Sequence, residues 1–323
     1  MTSPTRRVAA VDCGTNSIRL LIADIDPDAH ALTDVVRRMD IVRLGHGVDK
    51  TGVIAPEAMT RTLAQAREYA QQCRDHGVTT IRFVATSASR DARNADEFVA
   101  GVRAAFGDLD VTPEVISGAE EARLSFLGAT GDLRAAGIPG PYLVIDIGGG
   151  STEFVRGTSE VEAARSVDIG CVRMTERHLV GDPPTLEQIA AAIVDVDGQI
   201  EVGATEVDVH PVRTLVGLAG SITTVTAHLL KLPAYDPDAI HLSIAGPDAT
   251  VKACDELLRM PRAERAKLGF MHPGRVDVIG AGALVWSRVI ERVKRDTGLG
   301  EQLQIVTSEH DILDGIALSL AGL

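Results

Sequence analysis

The stretch YLVIDIGGGSTEFVRG, from Tyr142 to Gly157, gives the clearest indication of fold in this chain. An apolar run reaches Asp146, and the three glycines Gly148, Gly149 and Gly150 follow it. The run predicts a buried strand, and the small and polar residues predict a bare turn into a second strand. A carboxylate therefore lies beside a loop with few side chains. Taken alone, a glycine hairpin with an ordinary turn aspartate explains the pattern equally well.

The start of the chain repeats this pattern. The stretch VAAVDCGTNSIRLLIAD, residues 8–24, again has an apolar run, an aspartate, a glycine, small or polar residues and a second apolar run. Three positions align at one constant offset: Asp12 with Asp146, Gly14 with Gly148, and Ser17 with Ser151. Two hairpins in one register predict a duplicated unit. We therefore expect two similar α/β domains whose loops face one cleft.

The composition and net charge of the chain argue against several classes of function. The 323 residues are 45% hydrophobic, which permits large cores, and the net charge of −13 disfavours a nucleic-acid binder. The four cysteines form no CxxC pair and the nine histidines no paired metal motif, so we expect buried thiols and non-ligand histidines. No apolar run reaches the roughly 18 residues of a spanning helix, and MTSPTRR lacks a signal-peptide core. We expect a cytoplasmic protein that binds no membrane.

Between and after the hairpins, strand patterns alternate with helix patterns, which is typical of an α/β fold with mixed sheets. The patterns predict helices over residues 56–76, 97–106, 185–200, 276–295 and 309–323. They predict strands over residues 80–85, 111–116, 166–169, 215–218 and 305–306. The segment 233–247 has the composition of an irregular loop.

The two glycine loops have the chemistry of a phosphate site. Backbone N–H groups freed by glycine, together with serine and threonine hydroxyls, form a receptor for phosphate oxygens. Asp12 and Asp146 would repel a phosphate unless Mg²⁺ lies between, since that ion prefers carboxylates and substrate oxygens. Two facing loops of this type therefore suggest metal-assisted phosphoryl transfer, with two purely structural hairpins as the alternative.

The stretch VISGAEEARLSFLGA, residues 115–129, carries two adjacent glutamates. Ser117 and Glu120 fit the S-x-x-E capping box at a helix start, which gives Glu120 a structural explanation. Glu121 would project from the first turn, where the helix dipole stabilises its ionised form. A carboxylate held there is suited to deprotonate a water molecule aimed at a terminal phosphorus. A solvated glutamate in a charged helix start is the alternative.

The stretch ATSASRDARN, residues 85–94, follows a predicted strand, where side chains of open α/β sheets reach ligands. Ser89 and Arg90 are therefore candidate ligand-binding residues. Arg90 and Arg93 could clamp a phosphate and supply the local positive charge that an acidic protein needs. Salt bridges with neighbouring aspartates are the alternative, above all for Arg93. The GAGAL stretch, residues 280–284, lacks the third glycine of a dinucleotide fingerprint and is expected to pack at a helix start.

Together these stretches resemble the exopolyphosphatase/guanosine pentaphosphate phosphohydrolase family, which belongs to the actin-like superfamily of sugar kinases, heat-shock ATPases and actin. Seven motifs carry the resemblance in the family's order and cover nearly the whole chain: VDCGTNSIRLLIAD, VVRRMDIVRLGHGV, FVATSASRDARN, VISGAEEARLSFLGA, LVIDIGGGSTEF, LVGLAGSITTVTA and GRVDVIGAGAL. No single motif decides the resemblance, but seven in sequence do.

The resemblance implies an α/β fold of two ribonuclease H-like domains of the actin-like ATPase superfamily, with an interdomain cleft. It implies an N-terminal domain over residues 1–125, with a C-terminal helix (residues 309–323) packing back on it. The C-terminal domain is expected over residues 126–308. The short, two-domain members of the family are the ones that this chain resembles, and the expected assembly is a homodimer.

The resemblance also implies roles for individual residues. Glu121 is the implied catalytic base, and the implied metal ligands are Asp146, Glu153 and Asp12, with Mg²⁺ or alternatively Mn²⁺ as the ion. The implied substrate and phosphate ligands are Gly14, Thr15, Asn16, Ser17, Arg43, Ser89, Arg90, Gly148, Gly149, Gly150, Ser151, Gly220 and Ser221. The loop around Gly220 reads LAGSITT where the family more often has a GGT-type turn, which leaves nucleoside binding open.

The resemblance implies an exopolyphosphatase, a hydrolase of phosphoric anhydrides that releases terminal orthophosphate from inorganic polyphosphate by in-line attack of water. Two alternatives stay open. The same groups would hydrolyse guanosine pentaphosphate, pppGpp, a nucleotide of the stringent response. An actin-like nucleotide- or polyphosphate-binding sensor would use both loops to hold its ligand. Glu121 argues against a kinase-like protein, because a kinase base is usually an aspartate.

Overall fold

The computed structural model describes residues 6–26 and 31–321. The chain forms two compact units. Unit 2 is Ala129–Asp311, and unit 1 comprises the described residues before it together with those from Ile312 onward. None of the described residues forms a helix that is both long and apolar enough to cross a membrane.

Unit 1 is built on a sheet of five strands within the described residues, in the order β3-β2-β1-β4-β5. The strands are β1 (Arg6–Cys13), β2 (Ser17–Asp26), β3 (Ala31–Ile41), β4 (Thr80–Ala85) and β5 (Glu114–Val115). The helices are α1 (Val48–Thr51), α2 (Pro56–Asp75), α3 (Ser87–Asp91), α4 (Ala95–Phe106) and α5 (Gly118–Ala135), and Gly107–Leu109 is a 3-10 turn. Strands β1 to β3 are antiparallel, whereas β4 runs parallel to β1 and β5 parallel to β4.

Strand β1 shows why this sheet has helices on both faces. Its side chains alternate between two apolar clusters, because successive residues of a strand point to opposite faces. Ala9 and Val11 pack with α2 and α4, while Val8 and Ala10 pack in a second cluster with part of α5. The apolar run before Asp12 is therefore a central strand that is buried on both sides.

Unit 2 repeats this plan. Its strands are β6 (Tyr142–Ile147), β7 (Thr152–Gly157), β8 (Val161–Val167), β9 (Thr214–Leu218), β10 (Ser243–Ala245) and β11 (Gln304–Thr307). Its helices are α6 (Cys171–Arg177), α7 (Leu186–Glu206), α8 (Ala219–Leu229), α9 (Pro237–Ile240), α10 (Pro247–Arg259), α11 (Arg262–Arg265) and α12 (Ile279–Thr297), with 3-10 turns at Pro273–Arg275 and Gly300–Gln302. The order is β10-β11-β9-β6-β7-β8, so the two sheets share the order 3-2-1-4-5 once the edge strand β10 is set aside.

The last helix, α13 (Ile312–Ser319), completes unit 1. Ile312, Leu313 and Ile316 pack against the second apolar cluster of the unit 1 sheet. Gly315 permits this approach, because a Cβ atom there would lie only 1.9 Å from the carbonyl oxygen of Leu124 in α5. The end of the chain therefore forms part of the core that holds α5 in place.

The predicted α/β fold class, with two ribonuclease H-like sheets, is confirmed by the shared strand order. The strand 80–85 and the helix that starts at Pro56 were also correct. The predicted strand 111–116 shrinks to Glu114–Val115, and the predicted strand 166–169 is instead the earlier strand β8. Strand β8 (VEAARSV) mixes apolar with charged and polar residues and is half-exposed, so it lacks the continuous apolar run that marks a buried strand. The segment 233–247, expected to be irregular, contains α9 and β10.

Candidate active site

The loop between β1 and β2 carries the first set of predicted phosphate-binding residues. The Gly14 N–H donates to the Ser17 carbonyl oxygen at 2.9 Å and closes the turn. The carbonyl oxygens of Thr15 and Asn16 accept hydrogen bonds from N–H groups of residues 42–45, at 2.8 to 3.0 Å. The C=O and N–H of one trans peptide point in opposite directions. Because the loop carbonyl groups point towards residues 42–45, the N–H groups of the same peptides point away from that segment. The side that these N–H groups face is suited to an anion.

The loop between β6 and β7 is held in the same way. The Gly148 N–H donates to the Ser151 carbonyl oxygen at 3.0 Å, and residues 171–173 donate to the carbonyl oxygens of Gly148 and Gly149 at 2.9 to 3.1 Å. Gly170 makes this contact possible, because a Cβ atom there would lie 2.4 Å from the Gly149 oxygen. Both predicted loops are therefore fixed by backbone hydrogen bonds from a second segment of their own unit.

The aspartate of the unit 1 hairpin is neutralised by its neighbour across the sheet. Asp12 at the end of β1 lies directly opposite Arg19 on β2. The guanidinium of Arg19 donates from Nε and Nη2 to Asp12 Oδ2, at 2.9 and 2.7 Å. The Asp12 carboxylate is buried, so this pair balances a charge that burial would otherwise destabilise.

The aspartate of the unit 2 hairpin faces a second acid. Asp146 on β6 lies directly opposite Glu153 on β7, and both side chains are buried. The hydroxyl of Ser166 on β8 donates to Glu153 Oε1 at 2.8 Å. Like charges directly opposite each other on adjacent strands are destabilising, and a divalent cation between them would reverse this effect. The donor set, two carboxylates and a hydroxyl, therefore fits a hard cation such as Mg²⁺.

Glu121 lies in the first turn of α5 and is almost fully buried. Its Oε2 atom accepts a hydrogen bond of 2.6 Å from Arg90 Nη1, which also donates to the carbonyl oxygen of Ile116 at 3.0 Å. Thr86 forms a further side-chain hydrogen bond with Glu121. Burial raises the pKa of Glu121, Arg90 opposes that rise, and the nearby charge of Asp12 adds to it. The structure thus brings together three of the predicted site residues in unit 1: Asp12, Arg90 and Glu121.

The adjacent Glu120 has the opposite environment. Its N–H donates to Ser117 Oγ at 3.2 Å, as in the predicted helix cap, but its carboxylate pairs with Arg123 at 2.8 Å and Arg82 at 3.1 Å. The hydrogen bond from Arg123 lowers the pKa of Glu120, and Arg82 acts in the same direction against partial burial. Two neighbouring glutamates with pKa values shifted in opposite directions are suited to different roles, structural for Glu120 and proton transfer for Glu121.

Two buried hydroxyl groups lie at predicted ligand positions of unit 1. Ser89 is 1% exposed and Thr15 is also buried, and neither Ser89 Oγ nor Thr15 Oγ1 has a hydrogen-bond partner among the described residues. A buried hydroxyl without a partner is unusual in a folded protein, and a ligand is one explanation for it. Arg43, at another predicted position, has a φ of 49°, and such backbone conformations of bulky residues cluster at functional sites.

The predicted Gly220–Ser221 position lies at the start of α8. Ala219 there has a φ of 65°, again a left-handed conformation that a residue with a side chain rarely adopts. Arg275 lies against the first turn of this helix, because a Cβ atom at Gly220 would lie 2.0 Å from Arg275 Cζ. Its Nη1 atom also donates to Thr224 Oγ1 in the second turn at 3.4 Å. The positive charge of this arginine would attract a phosphate bound at this turn, but it would not attract an uncharged nucleoside.

Arg93, the second candidate phosphate clamp, has a structural role. Its guanidinium donates to the carbonyl oxygen of Thr51 at 3.0 Å, and its N–H donates to the carbonyl oxygen of Gly52 at 2.9 Å. These bonds tie the segment after α3 to the end of α1. Arg93 therefore has a structural role, through backbone carbonyl oxygens rather than the expected salt bridges with neighbouring aspartates.

Comparison with known proteins identifies the family of this chain. The model of the Ppx/GppA phosphatase family matches residues 21–319. The chain belongs to this family. The resemblance inferred from seven motifs is confirmed, and the chain is assigned to a family of phosphatases.

Two proteins and one crystal structure illustrate what this Ppx/GppA chain is similar to. Exopolyphosphatase 2 of Mycobacterium tuberculosis is 50% identical over 321 residues, which cover 98% of this chain and 99% of that protein. A guanosine-5'-triphosphate,3'-diphosphate pyrophosphatase of Pseudoalteromonas atlantica is 33% identical over 228 residues, 70% of this chain and 44% of that protein. The crystal structure of an exopolyphosphatase-like protein superposes with a TM-score of 0.93, at 46% identity and 98% coverage of both chains.

The motifs of the Ppx/GppA family did not identify every group at this site. Arg19 was missed, although it occupies the same hairpin position as Glu153 and so had a signal in the repeat. The support that residues 171–173 give to the glycine loop was also missed, as was Arg275 beside α8. These last contacts join segments that are distant in sequence, and no local pattern reports them.

Proposed function

We propose that this chain is an exopolyphosphatase that releases terminal orthophosphate from inorganic polyphosphate. The 50% identity to a protein named exopolyphosphatase along nearly the full length of both supports this substrate. The chemistry would be hydrolysis of a phosphoric anhydride, in which a water oxygen bonds to the terminal phosphorus while the bond to the bridging oxygen breaks.

The buried carboxylate of Glu121 is the observation that carries the proposal. Its raised pKa and its first-turn position suit a group that accepts the proton of the attacking water. Arg90, 2.6 Å away, would hold the carboxylate in place and offset negative charge on the reacting phosphate. Thr86 and the buried Ser89 would complete this polar surface in unit 1.

The two glycine loops would bind phosphate oxygens through their N–H groups. In unit 1 these would come from residues 15–17, because the Gly14 N–H already closes the turn, with the Thr15 hydroxyl and Arg43 as further donors. In unit 2 they would come from residues 149–151, because the Gly148 N–H is used in the same way. Variants in either loop should therefore impair the same reaction.

Asp146 and Glu153 are the residues that would hold a metal ion, with Mg²⁺ as the proposed ion and Mn²⁺ as the alternative. Their buried oxygen atoms form the hard donor set that these ions prefer. When bound, the ion would supply positive charge to the phosphate oxygens. Asp12 is the weakest of the three candidate ligands, because Arg19 already balances its charge.

Orthophosphate release tests the proposal. The purified protein is incubated with polyphosphates of several chain lengths, with pppGpp and with ATP, each with and without Mg²⁺. We expect Mg²⁺-dependent release from polyphosphate, with a higher kcat/KM than for either nucleotide. Tight ATP binding without turnover of polyphosphate would instead indicate a nucleotide sensor and overturn the proposal.

Hydrolysis of pppGpp is a second candidate function. It is supported by the 33% identity to a protein named guanosine-5'-triphosphate,3'-diphosphate pyrophosphatase, which spans 70% of this chain. The catalytic groups would be the same, and the protein would then act in the stringent response. A higher kcat/KM for pppGpp than for polyphosphate would establish this alternative.

We further propose that the enzyme acts in the cytoplasm as a homodimer and binds no nucleic acid. The net charge of −13 supports the last point, because nucleic-acid binders usually carry a basic surface. Light scattering at micromolar concentration tests the dimer, and a mass of one 34.1 kDa chain would contradict it.

A further inference from the structure

Three ligand-type side chains meet in unit 2 that the proposed reaction does not use. They are Asp132 near the end of α5, His241 after α9 and His310 before α13. One nitrogen of each imidazole and one carboxylate oxygen all lie within 4.8 Å of one another. Asp132 Oδ2 is 2.6 Å from His310 Nδ1 and 3.5 Å from His241 Nε2. Three segments that are far apart in sequence thus converge on a single carboxylate oxygen.

We propose that Asp132, His241 and His310 bind a divalent transition-metal ion, for which Zn²⁺ is the best match. Two imidazoles and one carboxylate form a donor set typical of zinc sites that keep one coordination position open. Imidazole nitrogen suits Zn²⁺, whereas Mg²⁺ prefers oxygen ligands only. This site would therefore select a different ion from the carboxylate pair Asp146 and Glu153.

The geometry requires only small movements to hold such an ion. With metal–ligand bonds of 2.0–2.1 Å in a tetrahedron, ligand atoms lie about 3.3 Å apart. The separations of 2.6 and 3.5 Å around Asp132 Oδ2 bracket this spacing. The side chains of Asp132 and His310 are 41% exposed and that of His241 is 23% exposed, so water can reach the fourth position.

The backbone of both histidines is held in place. Ser308 Oγ accepts a hydrogen bond from the His310 N–H at 3.1 Å and donates to the His310 carbonyl oxygen at 2.8 Å. Directly after His241, the Leu242 N–H donates to the carbonyl oxygen of Thr307 at 2.8 Å, where β10 begins to pair with β11. Ligands that are fixed before binding lose little conformational entropy when an ion arrives.

The second nitrogen of His241 sets the order of ligand strength. His241 Nδ1 accepts a long hydrogen bond of 3.3 Å from the Glu309 N–H. A ligated imidazole carries its proton on the nitrogen that does not touch the metal, so binding through Nε2 would break this bond. His310 and Asp132 should therefore contribute more to the affinity than His241 does.

Other histidine–carboxylate pairs serve as a comparison. Among the residues that the structure describes, this cluster is the single one of three or more potential ligands within such a distance. His210 with Asp208, at 2.8 Å, is an exposed pair with one imidazole per carboxylate. Such a pair lacks the third ligand that a zinc site needs.

Calorimetric titration of the full-length protein with Zn²⁺, in a buffer that contains excess Mg²⁺, tests the proposal. His310→Asn keeps an N–H donor for Asp132 but offers no metal ligand, and His241→Gln does the same from the other side. We expect each variant to lose Zn²⁺ affinity by roughly tenfold or more relative to the wild type. Loss of outer-shell partners alone weakens metal affinity about 10–100-fold. The control His210→Asn should bind Zn²⁺ like the wild type.

The visible spectrum of the Co²⁺-loaded protein provides a second readout that does not depend on activity. Tetrahedral coordination by nitrogen and oxygen should give an intense absorption in the wild type that His310→Asn lacks. Glu153→Gln should retain it, because its carboxylate belongs to the other proposed site. Unchanged Zn²⁺ affinity in both cluster variants, or an equal loss in His210→Asn, would overturn the proposal.

Discussion

The hairpins β1–β2 and β6–β7 have the same register, but the residue opposite the aspartate carries a positive charge in one and a negative charge in the other. In unit 1 the residue opposite the aspartate is Arg19, which forms an ion pair with Asp12 at 2.7 Å. In unit 2 it is Glu153, which places a second buried carboxylate opposite Asp146. The shared backbone keeps two glycine loops. In the proposed reaction, this single difference would suit unit 2 to a cation and leave proton transfer to Glu121 in unit 1.

The largest effect should come from Glu121→Gln, which keeps the size of the side chain and removes the proposed base of unit 1. Orthophosphate release should fall by ~10²–10⁴, the usual contribution of general-base catalysis. The Mg²⁺ concentration for half-maximal activity should not change, because Glu121 is not among the candidate metal ligands. Steady-state kinetics at several Mg²⁺ concentrations measures both quantities.

Glu120→Gln is the matched control, since it alters the neighbouring carboxylate that pairs with Arg82 and Arg123. Its activity should stay within about threefold of wild type, since a lost general base would cost ~10²–10⁴. A near-complete loss of turnover in a folded Glu120→Gln protein would mean that the two glutamates have exchanged roles.

The next effect concerns the ion pair of unit 1. Arg19→Met should destabilise the protein by about 3 kcal/mol, because it leaves the buried Asp12 carboxylate without its positive partner. Arg7→Met removes a pair with Asp24 on the same two strands at the same distance of 2.7 Å, but at an exposed position. Urea unfolding should show a much smaller loss for Arg7→Met. Equal losses would show that burial does not set the strength of the Asp12 pair.

In unit 2 the corresponding substitution should have the opposite sign. Glu153→Gln removes one of two facing charges and keeps an oxygen that can accept from Ser166. Without metal, the variant should be more stable by about 0.2–1 kcal/mol, the range for cross-strand pairs. Its Mg²⁺ requirement should rise roughly tenfold or more. Thermal denaturation with and without Mg²⁺ checks the first effect, and an unaltered Mg²⁺ requirement would exclude Glu153 as a ligand.

The smallest effect is on the pH profile. Burial raises the pKa of Glu121, and the nearby Asp12 charge adds to the rise, so the base is lost by protonation at a higher pH than for an ordinary glutamate. Arg90 opposes the rise, so Arg90→Met should move the acid limb of kcat/KM to still higher pH. A pH–rate series on both proteins tests this, and a limb that stays in place or moves down contradicts the role of Arg90.

Local patterns predicted much of the fold. The two hairpins appear as apolar runs around an aspartate and a glycine, and Pro56 at the first turn of α2 marks that helix. Strands β8 and β10 could not be predicted in the same way. Strand β10 is short, β8 lacks a continuous apolar run, and both lie at an edge of their sheet. Their position depends on pairing with β7 and β11, which is a tertiary property.

The site shows the same limit. Glu121 and the two loops were proposed because their residue types and spacing suit phosphate chemistry, and the capping-box pattern gave the neighbouring Glu120 a structural role. The raised pKa of Glu121 was not predictable: the helix start alone suggested a stabilised ionised form. The rise depends on burial of the carboxylate and on the nearby charge of Asp12, which are tertiary properties. The cluster at Asp132 was missed for a related reason, since its two histidines belong to segments that form no metal-binding pattern in the sequence.

Unit 1 is discontinuous, and this has a consequence for biosynthesis. Ile312, Leu313 and Ile316 fill part of its core, yet a ribosome adds them only after all of unit 2. The core of the nascent N-terminal unit therefore stays incomplete, with an apolar face exposed, until the whole second unit has been translated. Stalling or premature termination late in the message would leave a chain that has folded one half and exposed the other, a natural target for chaperones and proteases.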